Sequence, residues 1–330
     1  MWAPGYLKLH KTGELALRWR ALDDMLKSCS LCPRACGADR TAGKEGACSS
    51  GVLPVVSSYC AHFGEEPALV GRHGVGNIFL GNCNLRCVYC QNFEISQRPD
   101  VERHHAASCE RLAGIMLDLQ GLSCGSVGFV SPTHFVPQIM RAVDIAVPLG
   151  LRLPLIYNSN GYDNVDALKL LEGVTEIYLP DLRYASDETG LKYSGVRDYT
   201  AHARGSIKEM HRQVGPALLI EEDGLVKRGL VIRLLVLPNG ISETEESLRW
   251  IAYELGTQVT ISVMAQYYPA NEAFRYPELA RGLKREEYQK VLDTIEELGF
   301  ENGWIQRFAS RDYYRPDFGD RREPFRRQRK

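Results

Sequence analysis

Short apolar runs alternate with amphipathic segments of helical length from about residue 75 onward. The apolar runs cover residues 75–82, 125–130, 153–158, 176–180, 230–238 and 260–264. The amphipathic segments cover residues 106–120, 137–148, 164–172, 201–214, 243–255 and 285–298. Strands that alternate with helices predict parallel βαβ units, and almost uninterrupted apolar strands suit a sheet buried on both faces. The pattern therefore predicts an α/β fold with a six-stranded open sheet or partial barrel.

The chain before this alternation has a different character. Residues 1–25 predict a helical lead-in, and residues 26–50 form a loop-like segment rich in cysteine and glycine. Two short apolar stretches, Leu53–Tyr59 and Ala68–Val70, predict short strands. We therefore expect an N-terminal extension over residues 1–74.

Polar segments interrupt and follow the alternation. The interval from Asp181 to Ala201 is long and polar, which predicts a surface insertion. The residues from Arg321 to Lys330 are mostly basic and predict a solvated tail. The predicted barrel thus spans residues 75–300, and residues 301–330 form a C-terminal tail.

Charge and hydropathy limit the partners. The 40 Lys and Arg residues are balanced by 41 Asp and Glu residues, for a formal net charge of −1. This balance does not favour nucleic acid or a membrane surface as the main partner. The N-terminus lacks the apolar core of a secretory signal, and no apolar stretch reaches about 18 residues. We expect a cytoplasmic protein.

The ten cysteines all lie between Cys29 and Cys124. Clustered cysteines in a reducing compartment favour metal binding over disulfides. Most of them fall into two sets at ligand spacing, while Cys60, Cys109 and Cys124 lack such partners and are expected to be small buried side chains. Any cysteine-bound metal is therefore expected in the first part of the chain.

The first set is Cys83, Cys87 and Cys90, in the sequence GNCNLRCVYCQN. The spacing C-x3-C-x2-C directly follows the first apolar run, so these thiols lie where a barrel of this kind gathers its chemistry. Thiolates are the usual ligands of iron–sulfur clusters, and three of them leave one iron of a [4Fe-4S] cubane open. An open iron can chelate a small molecule; the alternative is a zinc site or three incidental thiols.

This motif and its place after the first strand resemble the radical S-adenosylmethionine superfamily. Further segments resemble the activating enzymes of glycyl-radical enzymes such as pyruvate formate-lyase, and most of all their PflX-type relatives. These segments are CPRACGADRTAGKEGAC (32–48), SPTHFVPQI (131–139), YNSNGY (157–162), YLPDLRY (178–184), VIRLLVLPNG (231–240) and SVMAQYYP (262–269). The resemblance covers roughly residues 29–318.

The resemblance implies a partial (β/α)6 TIM-like barrel, a [4Fe-4S] cluster on Cys83, Cys87 and Cys90, and S-adenosylmethionine as cofactor. It further implies reductive cleavage of S-adenosylmethionine to a 5′-deoxyadenosyl radical, which abstracts hydrogen from a protein or peptide substrate. An electron donor such as flavodoxin or ferredoxin would reduce the cluster. A small metabolite as substrate and a non-catalytic iron–sulfur electron-transfer protein are the alternatives.

Residues at the ends of the predicted strands are candidates for binding the cofactor. The resemblance places Tyr89 against the adenine. Ser131, Thr133 and His134 stand where the family carries a glycine-rich turn, and Asn158, Ser159 and Asn160 stand where it carries a D-T-N-G-like segment. Because Asn158 replaces the aspartate, a monovalent-cation site there is in doubt. The remaining candidates are charged or polar side chains at the ends of later strands, namely Asp181, Arg183, Arg233 and Gln266.

The second cysteine set is Cys29, Cys32, Cys36 and Cys48, with the spacing C-x2-C-x3-C-x11-C. Four thiols within twenty residues can saturate a metal, which implies a structural or electron-relay role. A second [4Fe-4S] cluster and a Zn²⁺ ion both fit this spacing.

Overall fold

The computed structural model describes residues 2–312 and 315–325. Its strands are β1 (Val56–His62), β2 (Val75–Leu80), β3 (Val127–Val130), β4 (Leu155–Ser159), β5 (Ile177–Pro180), β6 (Leu219–Ile220), β7 (Val226–Leu235), β8 (Thr260–Met264) and β9 (Gly303–Ile305). They form one sheet in the order β1-β2-β3-β4-β5-β7-β8-β9, with β6 paired to β7. The strands from β2 to β9 along this path are parallel, whereas β1 and β6 pair antiparallel with their neighbours.

The predicted parallel α/β sheet is therefore confirmed. All six residues of β2 and all five of β8 are buried, as expected for strands that helices cover on both faces. The sheet continues beyond residues 75–300 through β1 on one side and β9 on the other. The closure into a partial barrel and the three-part division of the chain stay predictions.

The helices fill the intervals between the strands. They are α1 (Gly5–Lys11), α2 (Glu14–Asp24), α3 (Pro67–Val70), α4 (Phe93–Ser96), α5 (Pro99–Glu102), α6 (Cys109–Gly121), α7 (Val136–Ala146), α8 (Val165–Lys169), α9 (Asp187–Ser194), α10 (Tyr199–Val214), α11 (Thr244–Leu255) and α12 (Arg285–Leu298). The lead-in helix α2 packs on α7, where Asp144 accepts hydrogen bonds from Trp19 and pairs with His10. Residues 26–50 form turns and loops, as predicted.

Two local predictions are wrong. Ala68–Val70 belongs to the short helix α3, because Pro67 presets the first helical turn and the Glu66 carbonyl oxygen accepts two backbone N–H groups. The interval 181–201 contains α9, and it buries Tyr184, Tyr193 and Ser194, so it is not a surface insertion. The polarity of the interval concealed this packing, because its buried positions are tyrosine and serine.

The prediction of a solvated C-terminal tail also needs correction over its described residues. Phe318 is buried against Phe79, and the Arg321 side chain reaches the buried carboxylate of Glu102. The described end of the chain is therefore packed on the sheet edge through Phe318 and Arg321, while Arg322 is exposed. Residues 326–330 of the predicted basic tail lie outside the described residues. In the part of the chain that the structure describes, no helix is both long and apolar enough to cross a bilayer.

Candidate active site

A cleft opens at the carboxyl ends of the parallel strands. Predicted residues that line it are Tyr89, Cys90, Ser131, Asn158, Ser159, Asn160, Asp181, Arg183, Arg233 and Gln266. They come from six successive parallel strands and the loops that follow them. Parallel strands bring their carboxyl ends to one edge of the sheet, so side chains far apart in the chain meet there.

The cysteine loop begins directly after β2. Its first turn places Asn82 at φ +65°, and the Asn82 side chain is anchored to the Ser49 carbonyl oxygen at 3.1 Å. Each cysteine then meets a polar side chain from another segment. Cys87 Sγ lies 2.9 Å from Ser194 Oγ, Cys90 Sγ lies 3.2 Å from Ser96 Oγ, and Asn160 Nδ2 donates to Cys83 Sγ at 3.4 Å.

The donor set fits an iron–sulfur cluster. Burial raises the pKa of the Cys83 thiol to about 12 and also raises that of Cys90, so the thiolates need a cation beside them. Among residues 2–312 and 315–325, no three His, Cys, Asp or Glu side chains are grouped so that they could hold a single metal ion. A cubane spreads its ligands over separate irons, so the three thiols of one loop can each bind a different iron of a [4Fe-4S] cluster.

Tyr89 is held rigidly between two of these cysteines. Its hydroxyl lies 2.6 Å from that of Tyr184, and its ring meets Tyr267 edge-on at 6.1 Å. The Tyr184 hydroxyl lies 2.7 Å from Ser194 Oγ, which also meets Cys87. The segment 181–201, which carries Tyr184 and Ser194, therefore contacts both the aromatic wall of the cleft and one cysteine.

The ends of β3 and β4 present polar groups to the cleft. Ser131 adopts φ +58°, a backbone conformation that usually requires glycine, which fits its position in place of a glycine-rich turn. Gly161 closes the turn after Asn160 at φ +79°, and a Cβ there would approach the Asp181 carbonyl oxygen to 2.6 Å. The turn therefore packs directly on the end of β5.

Charged side chains form an alternating series along one wall. Arg183 Nη2 lies 2.6 Å from Asp181 Oδ2, and Arg233 Nε lies 3.8 Å from Asp181 Oδ1. Arg233 Nη1 donates to Glu65 Oε2 at 3.0 Å. Burial raises the pKa of Glu65, but Arg233, His62 and Asn77 together lower it below its ordinary value, so the carboxylate stays charged. Arg233 is a charged residue inside an apolar strand, where an unpaired charge would be costly to bury. It has carboxylate partners and also faces the cleft.

The lining of the cleft does not include four of the predicted site residues, namely Cys83, Cys87, Thr133 and His134. His134 Nε2 is bonded to the Gly81 carbonyl oxygen at 2.9 Å, and burial lowers the pKa of His134 to about 3. Thr133 Oγ1 donates to the buried carboxylate of Asp163, which also accepts bonds from Tyr157 and Ser159. The side chains of His134 and Thr133 thus bond to other parts of the protein and do not face the cleft.

Sequence reasoning missed the wall that precedes β2. His62, Gly64 and Glu65 line the cleft, as do Pro316 and Phe325 from the C-terminal segment. The adjacent acidic residues Glu65 and Glu66, placed between a strand and Pro67, were the only signal for this wall. The C-terminal contribution had no signal, because its residues are separated from the cleft by most of the chain.

The second cysteine set is drawn together by a compact loop. The Gly37 N–H donates to the Cys29 carbonyl oxygen at 3.1 Å, and the Cys36 and Cys48 sulfurs lie 3.4 and 3.5 Å from the position that a Cβ on Gly46 would take. Burial, together with the nearby charges of Cys48 and Cys29, raises the pKa of Cys32 to about 12. The loop therefore brings Cys36 and Cys48 close together and keeps Cys29 and Cys32 on the same short segment.

The fold and the site define a mixed α/β protein with a cysteine-lined cleft at the carboxyl edge of a parallel sheet. The chain is 30% identical over 306 residues to the uncharacterized protein MJ0674 of Methanocaldococcus jannaschii, which covers 89% of this chain and 82% of that protein. The chain belongs to the same family as MJ0674. It is also 29% identical over 176 residues to the uncharacterized protein MJ0808 of the same organism, across 47% of this chain and 50% of that protein. No protein-family model matches the chain.

Solved structures to which the chain is similar include Streptococcus suis SuiB bound to S-adenosylmethionine, with a TM-score of 0.45, 14% identity and coverage of 68% of this chain and 48% of SuiB. HydG, a maturase of the [FeFe]-hydrogenase, gives a TM-score of 0.46 at 13% identity over 71% of this chain and 52% of HydG. Methylornithine synthase (PylB) gives 0.44 at 13% identity over 70% and 71% of the two chains. The chain spans about half the length of SuiB, HydG and MJ0808. With TM-scores below 0.5, these structural similarities carry no argument about activity.

Proposed function

We propose that the protein is a radical S-adenosylmethionine enzyme. The observation that carries this proposal is the position of the C-x3-C-x2-C loop, which follows the first parallel strand and presents Cys90 and Tyr89 to a cleft. Cys83, Cys87 and Cys90 would hold a [4Fe-4S] cluster, which when bound supplies the electron that cleaves S-adenosylmethionine to a 5′-deoxyadenosyl radical.

The chain's own residues would bind and orient the cofactor. Tyr89 offers an aromatic face, and Ser131, Ser159 and Asn160 offer hydrogen-bonding groups beside the cysteine loop. Arg183 provides a guanidinium suited to a carboxylate, with Asp181 holding it in place at 2.6 Å. The buried walls of the cleft would keep water away from a reactive radical.

The proposal is tested with anaerobically reconstituted protein. We expect dithionite and S-adenosylmethionine to yield 5′-deoxyadenosine with the wild type and none with Cys87→Ala. Cys109→Ala is the matched control, because this thiol belongs to neither set and should retain the activity. If the spectrum of the cluster on Cys83, Cys87 and Cys90 does not change when S-adenosylmethionine is added, the proposal is overturned. The protein would then be a non-catalytic electron-transfer protein.

We further propose a protein or peptide substrate, as the resemblance to activating enzymes implies. One observation favours a small metabolite as the second candidate: Pro316 and Phe325 from the C-terminal segment form part of the cleft lining and so add to its enclosure. The two are separated by adding dialysed macromolecules or the low-molecular-weight fraction of an anaerobic lysate. Stimulation of 5′-deoxyadenosine formation that is abolished by protease indicates a polypeptide, and stimulation by the small fraction alone indicates a metabolite.

The second cysteine set is proposed to hold a metal as well. Its four thiols lie on one compact loop, and the cell that loads the proposed cleft cluster would already contain the machinery to load a second [4Fe-4S] cluster, which favours it over Zn²⁺. Measuring iron, sulfide and zinc per chain after reconstitution distinguishes the two.

A further inference from the structure

The two cysteine sets lie on segments that are bonded directly to each other. Asn82, which precedes Cys83, donates its side-chain amide to the carbonyl oxygen of Ser49 at 3.1 Å. Ser49 follows Cys48 in the chain. Cys83 of the first set is therefore linked to Cys48 of the second set through Asn82, one hydrogen bond and Ser49.

A second path runs in parallel with the first. Arg34 Nε donates to the Asn84 carbonyl oxygen at 2.5 Å, and Asn84 follows Cys83. Arg34 lies two residues after Cys32. The carbonyl oxygen accepts from a guanidinium, so this bond is charge-assisted and short. Two different cysteines of the N-terminal set thus connect to the same cysteine of the cleft.

The N-terminal set has an outer side and an inner side. Cys36 is exposed to solvent, whereas Cys32 and Cys48, the residues at the start of the two paths, are buried. The cleft cysteine Cys87 is buried as well. A protein donor too large to enter the cleft can therefore approach Cys36 at the surface, and the buried pair leads inward from there.

From these contacts we infer that Cys29, Cys32, Cys36 and Cys48 form an electron-relay site that feeds the cleft. This inference rests on the proposed function. The site would hold a [4Fe-4S] cluster and pass one electron from a surface-bound donor of the flavodoxin or ferredoxin class to the cluster on Cys83, Cys87 and Cys90. In each transfer the donor loses one electron and the cleft cluster gains one, with the relay returned to its starting state and no atom or proton moved. Zn²⁺ has no redox chemistry and could not act in this way.

Magnetic spectroscopy of the full-length wild type provides the first test. After anaerobic reconstitution we expect about eight irons per chain, since each cubane contains four. When both clusters are reduced, their short separation should broaden or split the EPR signals through spin–spin interaction. About four irons together with bound zinc, or two clusters with no magnetic interaction, would overturn the inference.

Rates of reduction provide the second test. The double variant Cys36→Ala/Cys48→Ala is compared with Cys109→Ala/Cys124→Ala, which removes two thiols outside both sets. With reduced flavodoxin, the EPR signal of the cleft cluster should form at least tenfold more slowly in the first variant, whereas dithionite should still produce it. Equal rates in the two variants would rule out the relay. In that case, a cleft-cluster signal that still responds to S-adenosylmethionine would show that the proposed function stands independently.

Discussion

Arg321 reaches across the sheet edge to place its guanidinium 2.7 Å from the carboxylate of Glu102, which is fully buried. The same carboxylate accepts a hydrogen bond from Ser57, and the Arg321 carbonyl oxygen accepts one from Ser58. The last described segment is thus fastened to β1 beside the cleft. This contact joins residues 219 positions apart and holds Phe325 over the cleft wall.

Removing that guanidinium should destabilise the protein. In Arg321→Met the buried carboxylate loses its charge partner, and we expect the free energy of unfolding to fall by about 2–4 kcal/mol, because an uncompensated buried charge is costly. Urea denaturation measures the change. Arg322→Met is the matched control, since Arg322 is exposed and its loss should change stability by less than about 0.5 kcal/mol. If Glu102→Gln does not recover part of the loss in the double variant, the assignment of the effect to this pair fails.

Phe325 should restrict access to the cleft. Its ring lies 4.2 Å from that of His62 and 5.4 Å from that of Phe79. In Phe325→Ala we expect dithionite-driven 5′-deoxyadenosine formation without substrate to rise severalfold, because a wider mouth admits water and the reductant. Leu122→Ala, at an exposed position away from the cleft, should leave the rate unchanged. A rate in Phe325→Ala equal to that of the wild type would show that the ring does not control entry.

Arg183 should contribute to cofactor affinity. Arg183→Met removes a charge-assisted hydrogen bond worth about 1.5–3 kcal/mol, so we expect the KM for S-adenosylmethionine to rise about tenfold or more. Arg183→Lys keeps the charge and should raise KM less. The exposed Arg197 supplies the control variant Arg197→Met. A fall in kcat with no change in KM would instead place Arg183 against the substrate.

His134 should make the protein sensitive to mild acid. Burial lowers its pKa from 6.5 to about 3 in the fold, so between these values the unfolded chain binds a proton that the folded chain does not. The contribution of His134 is therefore fully present above pH 6.5 and is lost as the pH falls, by up to about 1.4 kcal/mol per pH unit. Unfolding measured between pH 7 and 5 should show a shallower slope for His134→Gln than for the wild type. The exposed His104 is the control, and His104→Gln should retain the wild-type slope.

Ser194 should tune the reduction potential of the cluster on the cysteine loop. Its hydroxyl lies 2.9 Å from Cys87 Sγ, and hydrogen bonds to cluster sulfurs are among the groups that set the potential. Such a hydrogen bond stabilises the reduced cluster, which carries more negative charge than the oxidised one. Ser194→Ala should therefore lower the midpoint potential in an EPR-monitored titration. Ser186→Ala lies in the same segment, but the Ser186 hydroxyl donates to Thr189 and not to a cysteine, so this variant should not shift the potential. An unchanged potential in Ser194→Ala would mean that the bond is absent once the cluster is bound.

The parallel sheet and much of the cleft were predictable because both depend on local signals. Apolar runs mark β3, β4 and β5, and the residues directly after these strands, Ser131, Asn160 and Asp181, reach the cleft by the geometry of parallel strands. His134 shows the limit of that rule. It follows a strand like its neighbours, yet its ring turns toward Gly81, because one turn can present some side chains upward and others downward.

Contacts between distant segments could not be predicted from periodicity. Glu65 reaches the cleft only because β1 pairs antiparallel beside β2, and Ser194 reaches Cys87 only because a polar insertion folds back. Polar residues that become buried in this way carry no apolar pattern. Their roles depend on which partner the complete fold provides.

The contact between Ser194 and Cys87 also has a consequence for the order of folding during synthesis. The two residues are 107 positions apart, and Asn160, which contacts Cys83, is 77 positions beyond it. The cysteine loop therefore reaches its final shape only after the chain through α9 has left the ribosome and packed. A cluster site built on this loop would therefore be completed only late in synthesis, once a residue more than a hundred positions downstream has joined it.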